Sequence, residues 1–132
     1  MKIFSFYKIE RIKNLKSLKI KIIKEIQKNN IKGLIILSKE GINATIAGNS
    51  KDISNIVKYI KLILNIKKFD IENITYTSFI PFLKAKVKIK NEVVPMDYNF
   101  SFKNKITKNY LSPNKWDNLL SQKNVKIVDA RK

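Results

Sequence analysis

GLIILSKEGINATIAG, residues Gly33 to Gly48, decides the fold. Leu34-Ile35-Ile36-Leu37 is a short apolar, branched run of the length of a buried strand. Ser38-Lys39-Glu40-Gly41 follows as a turn whose glycine can take a positive φ. Ile42, Ala44 and Ile46 then alternate with Asn43 and Thr45, which predicts a second strand returning beside the first. The segment therefore reads as a β-hairpin.

On the N-terminal side, Lys2 to Ile9 carries Ile3, Phe4, Phe6, Tyr7 and Ile9, apolar on both faces as in a central strand. Asn14 is placed to cap a helix, and Leu15, Leu18, Ile22, Ile23 and Ile26 recur at helical spacing, with most lysines away from that stripe. Asn29 and Asn30 end the helix. On the C-terminal side, Ser50 reads as a cap, Asp52 suits the positive end of the helix dipole, and Ile53, Ile56, Val57, Ile60 and Ile63 form the buried stripe. Ile71 to Ser78 reads as a further strand. Leu83, Ala85, Val87 and Ile89 alternate with Lys84, Lys86, Lys88 and Lys90, the sharpest strand pattern in the chain.

The order is strand, helix, strand, strand, helix, strand, plus one extra strand. It predicts an α+β, ferredoxin-like (acylphosphatase-like) fold: an antiparallel sheet with two helices on one face. Residues 1–90 make up this domain. Residues 91–109, polar and poor in periodic apolar positions, read as a linker. From 110 to 132 a second unit begins: Ser112-Pro113 opens a short helix with Trp116, Leu119 and Leu120 on its apolar side, and Val125 to Ala130 reads as a strand. That strand resembles one of a parallel sheet; either it adds to the edge of the first sheet or, as the linker before it favours, its neighbours are expected further along a longer chain.

Composition narrows the chemistry. The 132 residues contain no cysteine and no histidine, which excludes thiolate or imidazole catalysis and zinc sites built from those groups. The ten acidic residues are scattered, so no metal site is expected. The formal net charge of +18 suits a polyanionic partner, although the abundance of Lys, Ile and Asn is also what A- and T-rich codons produce. Arg11 and Arg131 are the only arginines, which points to backbone contacts rather than bidentate reading of guanine. With no signal-peptide pattern and no apolar run near the length of a membrane span, no membrane partner is expected and the cytoplasm is the expected location.

Three segments together resemble the rhodanese-containing, oxygen-dependent tRNA uridine hydroxylase family. The first is the hairpin, with Glu40, Gly41, Ile42, Asn43, Thr45, Ile46 and Gly48. The second is FLKAKVKIKNEVV, with Lys86, Val87, Lys88, Lys90, Glu92, Val93 and Val94. The third is YLSPNKWDNLLSQKNVKIVDAR, Tyr110 to Arg131, similar to the family's Tyr-x-x-Pro-x-x-Trp helix and the Asp-x-Arg that opens its rhodanese domain; Lys132 stands where the family has Asn. The resemblance implies an oxidoreductase that uses molecular oxygen as co-substrate to convert the wobble uridine of tRNA to 5-hydroxyuridine. It also implies tRNA as the partner and a catalytic cysteine in a downstream rhodanese domain, which these residues do not include. This chain is then expected to bind no cofactor, to supply no catalytic residue, and to bind or orient tRNA.

The candidate nucleic-acid contacts are Lys39 and Asn43 in the hairpin and Lys84, Lys86, Lys88 and Lys90. These last four recur at roughly 6.6–6.8 Å along one face of one strand. Against this, a lysine stripe also keeps a strand edge soluble, and Gly41 and Asn43 serve a turn equally well, Asn43 by closing a side-chain hydrogen bond. Phe4, Phe6, Tyr7, Tyr76 and Phe79 are expected in the core rather than as base-stacking platforms. Two other readings remain: a stand-alone nucleic-acid-binding module, and an acylphosphatase-like hydrolase, the latter poorly served by so few arginines.

Overall fold

The computed structural model describes residues 1–93 and 111–128. The chain divides into two compact units, Met1–Phe100 and Ser101–Lys132.

In the first unit the elements are β1 (Lys2–Ile9), α1 (Leu15–Lys28), β2 (Lys32–Ser38), β3 (Gly41–Gly48), α2 (Ser50–Ile63), β4 (Ile71–Tyr76) and β5 (Ala85–Ile89). The strands form one sheet in the order β4-β1-β3-β2-β5. The first four are antiparallel to their neighbours, as the predicted fold requires. The fifth departs from the expectation of a purely antiparallel sheet: β5 pairs parallel with β2, in the register Ile35 to Val87. After β4, at one edge, the chain passes to the opposite edge and enters β5 in the direction of β2. It thereby covers the edge that β2 would otherwise leave open.

Strand alternation sorts side chains between two faces. Phe4, Phe6, Ile35, Leu37, Ile42, Ala44, Ile46 and Val87 are buried with the helix stripes Leu18, Ile22, Ile26 and Ile53, Ile56, Ile60. Ile22, Ile35, Leu37, Ile42, Ile56 and Ile60 have no exposed area at all. Each such side chain contributes about 1.5–3 kcal/mol of transfer free energy. Phe69 stacks on Phe6 with ring centroids 4.1 Å apart and closes the core at the β4 side.

The helix ends correct two local expectations. Asn14 does precede α1, but its side chain makes no capping bond; it sits in the left-handed region at φ 54°, which asparagine tolerates better than most residues. The cap of α2 is Asn49, not Ser50. Its side chain accepts from the Asp52 N–H at 2.8 Å and donates to Asp52 Oδ2 at 2.7 Å, a reciprocal arrangement that makes Ser50 the first helical residue. Asn29, only 7% exposed, ends α1 and ties the helices together: it donates to the Glu25 carbonyl and accepts from Asn55. Beyond β5, Val93 is buried and its N–H faces Glu40 Oε2 at 3.4 Å, so packing in this unit reaches Val93.

The second unit contains α3 (Pro113–Leu120), with Pro113 at its start and the Ser112 side chain facing the Lys115 N–H, as the sequence indicates. Residues 125–128 are not in a strand, contrary to expectation, and Ile127 and Val128 are largely exposed. A strand exists only where another pairs with it, and no described residue does so here. Of the linker expected over 91–109, residues 94–109 lie outside the described residues, as does the Asp129 to Arg131 motif.

Candidate nucleic-acid interface

Both helices cover one face of the sheet, and the residues on its other face are set by register. One row across the sheet runs Ile71, Tyr7, Asn43, Ile36, Lys88. The next runs Asn73, Ser5, Thr45, Leu34, Lys86. The middle of this face is thus polar and aromatic, with the Ser5 and Thr45 hydroxyls 3.1 Å apart, and one border is lined by lysine.

Of the four lysines expected along one strand, only Lys86 and Lys88 lie inside β5; Lys84 and Lys90 flank it. Their backbones still bond to β2, the Lys84 carbonyl accepting from Gly33 at 3.1 Å and the Lys90 N–H donating to Leu37 at 2.9 Å. Lys39 is in the two-residue turn between β2 and β3, at the same end of the sheet as Lys90. The ion pairs among the described residues lie elsewhere, at Lys8–Asp70, Lys28–Glu25 and Lys61–Glu72. Lys84, Lys86, Lys88 and Lys90 are all exposed.

The hairpin motif divides. Glu40 and Gly41 serve the turn: the Glu40 N–H donates to Ser38 Oγ, and the Glu40 carbonyl accepts from Glu10. Asn43 does not serve it. It lies in β3 on the open face, between Tyr7 and Ile36, and its side chain bonds to no described residue. Sequence reasoning grouped these residues by proximity in the chain, whereas the pleat separates them.

The aromatic expectation holds for Phe4 and Phe6, both buried. It fails for the other three. Tyr7 is half-buried on the open face, and Tyr76 and Phe79 are 69% and 67% exposed at the β4 edge and beyond. Apolar neighbours in sequence do not reveal which strand is an edge.

In the loop between β1 and α1, residues 10–14, the N–H groups of Glu10 and Ile12 donate to the Glu40 and Lys39 carbonyls, so these two donors fasten the loop to the hairpin turn and are not open to a phosphate. No described helix is long and apolar enough to cross a membrane. No cluster of three or more acidic side chains that could hold a metal occurs among the described residues.

The fold and this face define a basic ferredoxin-like domain with a lysine-bordered open sheet. The chain belongs to the UPF0176 acylphosphatase like domain family, which matches residues 1–93. It is 47% identical over 130 residues to a tRNA uridine(34) hydroxylase of Pelagibacter ubique (strain HTCC1062), covering 98% of this chain and 43% of that protein. The chain therefore spans less than half the length of this relative. Among solved structures it is similar to Klebsiella pneumoniae BlrP1 in a manganese and cy-diGMP complex, with a TM-score of 0.51 and 12% identity over 69% of this chain and 24% of that one. It also matches an acylphosphatase from Bacillus subtilis, with a TM-score of 0.49 and 12% identity over 68% of this chain and 99% of that one. At 12% identity the likeness to BlrP1 concerns fold alone.

Proposed function

We propose that this chain is the tRNA-binding N-terminal part of a cytoplasmic tRNA uridine hydroxylase, and that Lys39, Asn43, Lys84, Lys86, Lys88 and Lys90 contact the RNA. The observation that carries the reading is the placement of Lys86 and Lys88 on the same helix-free face of the sheet as Asn43, with β2 between them. Two lysines about 6.7 Å apart on one strand can follow a phosphate backbone, which runs at a comparable repeat. Asn43 offers both a donor and an acceptor two strands away, within reach of a base or ribose lying across the face.

The similarity to the Pelagibacter hydroxylase supports the choice of tRNA as the polyanion and of wobble uridine as the eventual substrate. In this reading a rhodanese-like domain downstream supplies the cysteine chemistry, with molecular oxygen as co-substrate. With neither cysteine nor histidine in 132 residues, this chain contributes binding and orientation.

Charge reversal of Lys86 and Lys88 to Glu is expected to weaken tRNA binding at least tenfold at low salt. It also lowers the slope of log K against log salt by about 2, one unit for each phosphate that the lysines no longer neutralise. Unchanged affinity in a titration of the folded double variant refutes the interface. Asn43→Ala is expected to leave the free energy of unfolding within about 0.5 kcal/mol of wild type, because its side chain bonds to no described residue, while reducing tRNA affinity several-fold. A parallel loss of stability and affinity shows instead that Asn43 is structural.

A further inference from the structure

The two edges of the sheet are built differently. The β5 edge carries Lys86 and Lys88, the usual protection of an exposed strand. β4 itself has none, and the lysine that reaches it, Lys61 of α2, is paired with Glu72. From Phe69 to Leu83 there is no lysine or arginine, in a chain holding 28 of them in 132 residues. All six residues of β4 are exposed, including Ile71, Ile74 and Tyr76, and Phe79 extends the apolar patch past its end.

The backbone of β4 is likewise available. Met1 and Thr77 exchange both of their N–H to carbonyl bonds, so they form a hydrogen-bonded pair. By antiparallel alternation, Thr75, Asn73 and Ile71 bond toward β1, and Tyr76, Ile74 and Glu72 turn their N–H and carbonyl groups to the free edge.

We infer that β4 is a self-association edge, pairing antiparallel with β4 of a second copy about a two-fold axis at Ile74. This register keeps the helices of both copies on one side of a continuous ten-stranded sheet. Ile74 then faces Ile74 of the second copy and exchanges both backbone bonds with it. Glu72 faces Tyr76, and Asn73 faces Thr75. No like charges meet, whereas moving the axis to Glu72 sets two carboxylates opposite each other. The absence of lysine matters most for this occupant: two chains of net charge +18 repel through nearly every other surface, and the β4 edge is where a second copy can approach with the least repulsion.

Sedimentation of the full chain from about 1 μM to 1 mM is expected to show its mass doubling. The midpoint should move to lower concentration as salt rises, because screening relieves the repulsion, opposite in sign to tRNA binding. Ile74→Pro removes an edge donor without touching the β1 ladder and is expected to leave a monomer that retains the wild-type circular dichroism spectrum. Amide exchange on the wild-type protein gives a second reading independent of any variant: the Glu72, Ile74 and Tyr76 amides should slow as concentration rises, while those at the β5 edge stay constant. A wild-type monomer throughout the range, a dimer that survives in folded Ile74→Pro, or concentration-independent exchange at these three amides overturns the inference.

Discussion

Gly41→Ala is expected to lower the free energy of unfolding by about 3 kcal/mol or more, among the larger effects of any single methyl in this protein. Gly41 opens β3 at φ 154°, opposite Ile9 of β1, and a Cβ built there lies 2.0 Å from the Lys8 carbonyl oxygen. That oxygen belongs to a central strand, so relief requires the two strands to separate. The same separation pulls on the bonds from Glu10 and Ile12 to the hairpin turn. Gly48, at the other end of β3, is the control. There an added Cβ meets the Ile31 Cδ1 atom at 2.8 Å, the end of a side chain that can rotate. Gly48→Ala should therefore cost about 1 kcal/mol or less. Urea unfolding reads both, as a shift in midpoint at unchanged slope. Equal midpoints for the two variants would show that the close approach of β1 and β3 at Gly41 is wrong.

Ile35→Ala should cost about 3–4 kcal/mol and Ile36→Ala about 1 kcal/mol. The two residues are adjacent and identical, and in the sequence both belong to one apolar run. Ile35 has no exposed area; it pairs with Ala44 and Val87 and lies in the cluster formed with the helix stripes. Truncating it leaves a cavity that neighbouring strands cannot collapse to fill. Ile36 faces the opposite way, half-buried between Asn43 and Lys88 on the open face, where solvent can occupy the vacated space. If the two variants unfold at the same denaturant concentration, the assignment of faces in β2 fails, and with it the whole candidate interface. Thermal unfolding of both variants, compared at their own midpoints, provides a second check.

Much of this architecture was legible in the chain because its signals are local. Leu18, Ile22 and Ile26, and then Ile53, Ile56 and Ile60, recur with the helical period and are buried as that period implies. Glu40 and Gly41 mark a turn through short-range backbone demands. The candidate lysines were legible as a stripe, since alternation within one strand is also local. The cap of α2 was misplaced by one residue, because Asn49 and Ser50 are both good capping types and only the bond from the Asp52 N–H to the Asn49 side chain separates them.

By itself, then, the sequence determined the kinds and order of the elements up to β5, the helix faces turned inward, and the absence of thiol and imidazole chemistry, but it misread residues 125–128 as part of a strand. Only the tertiary structure decided that β5 runs parallel to β2, that Leu34 and Ile36 part from Ile35 and Leu37, and that Asn43 stands in a row with Tyr7 and Lys88. It alone distinguished the lysine-lined edge from the bare one. The physical reason is range: periodicity is set by bonds along the chain, whereas strand neighbours, edges and faces arise from pairings between residues far apart in it.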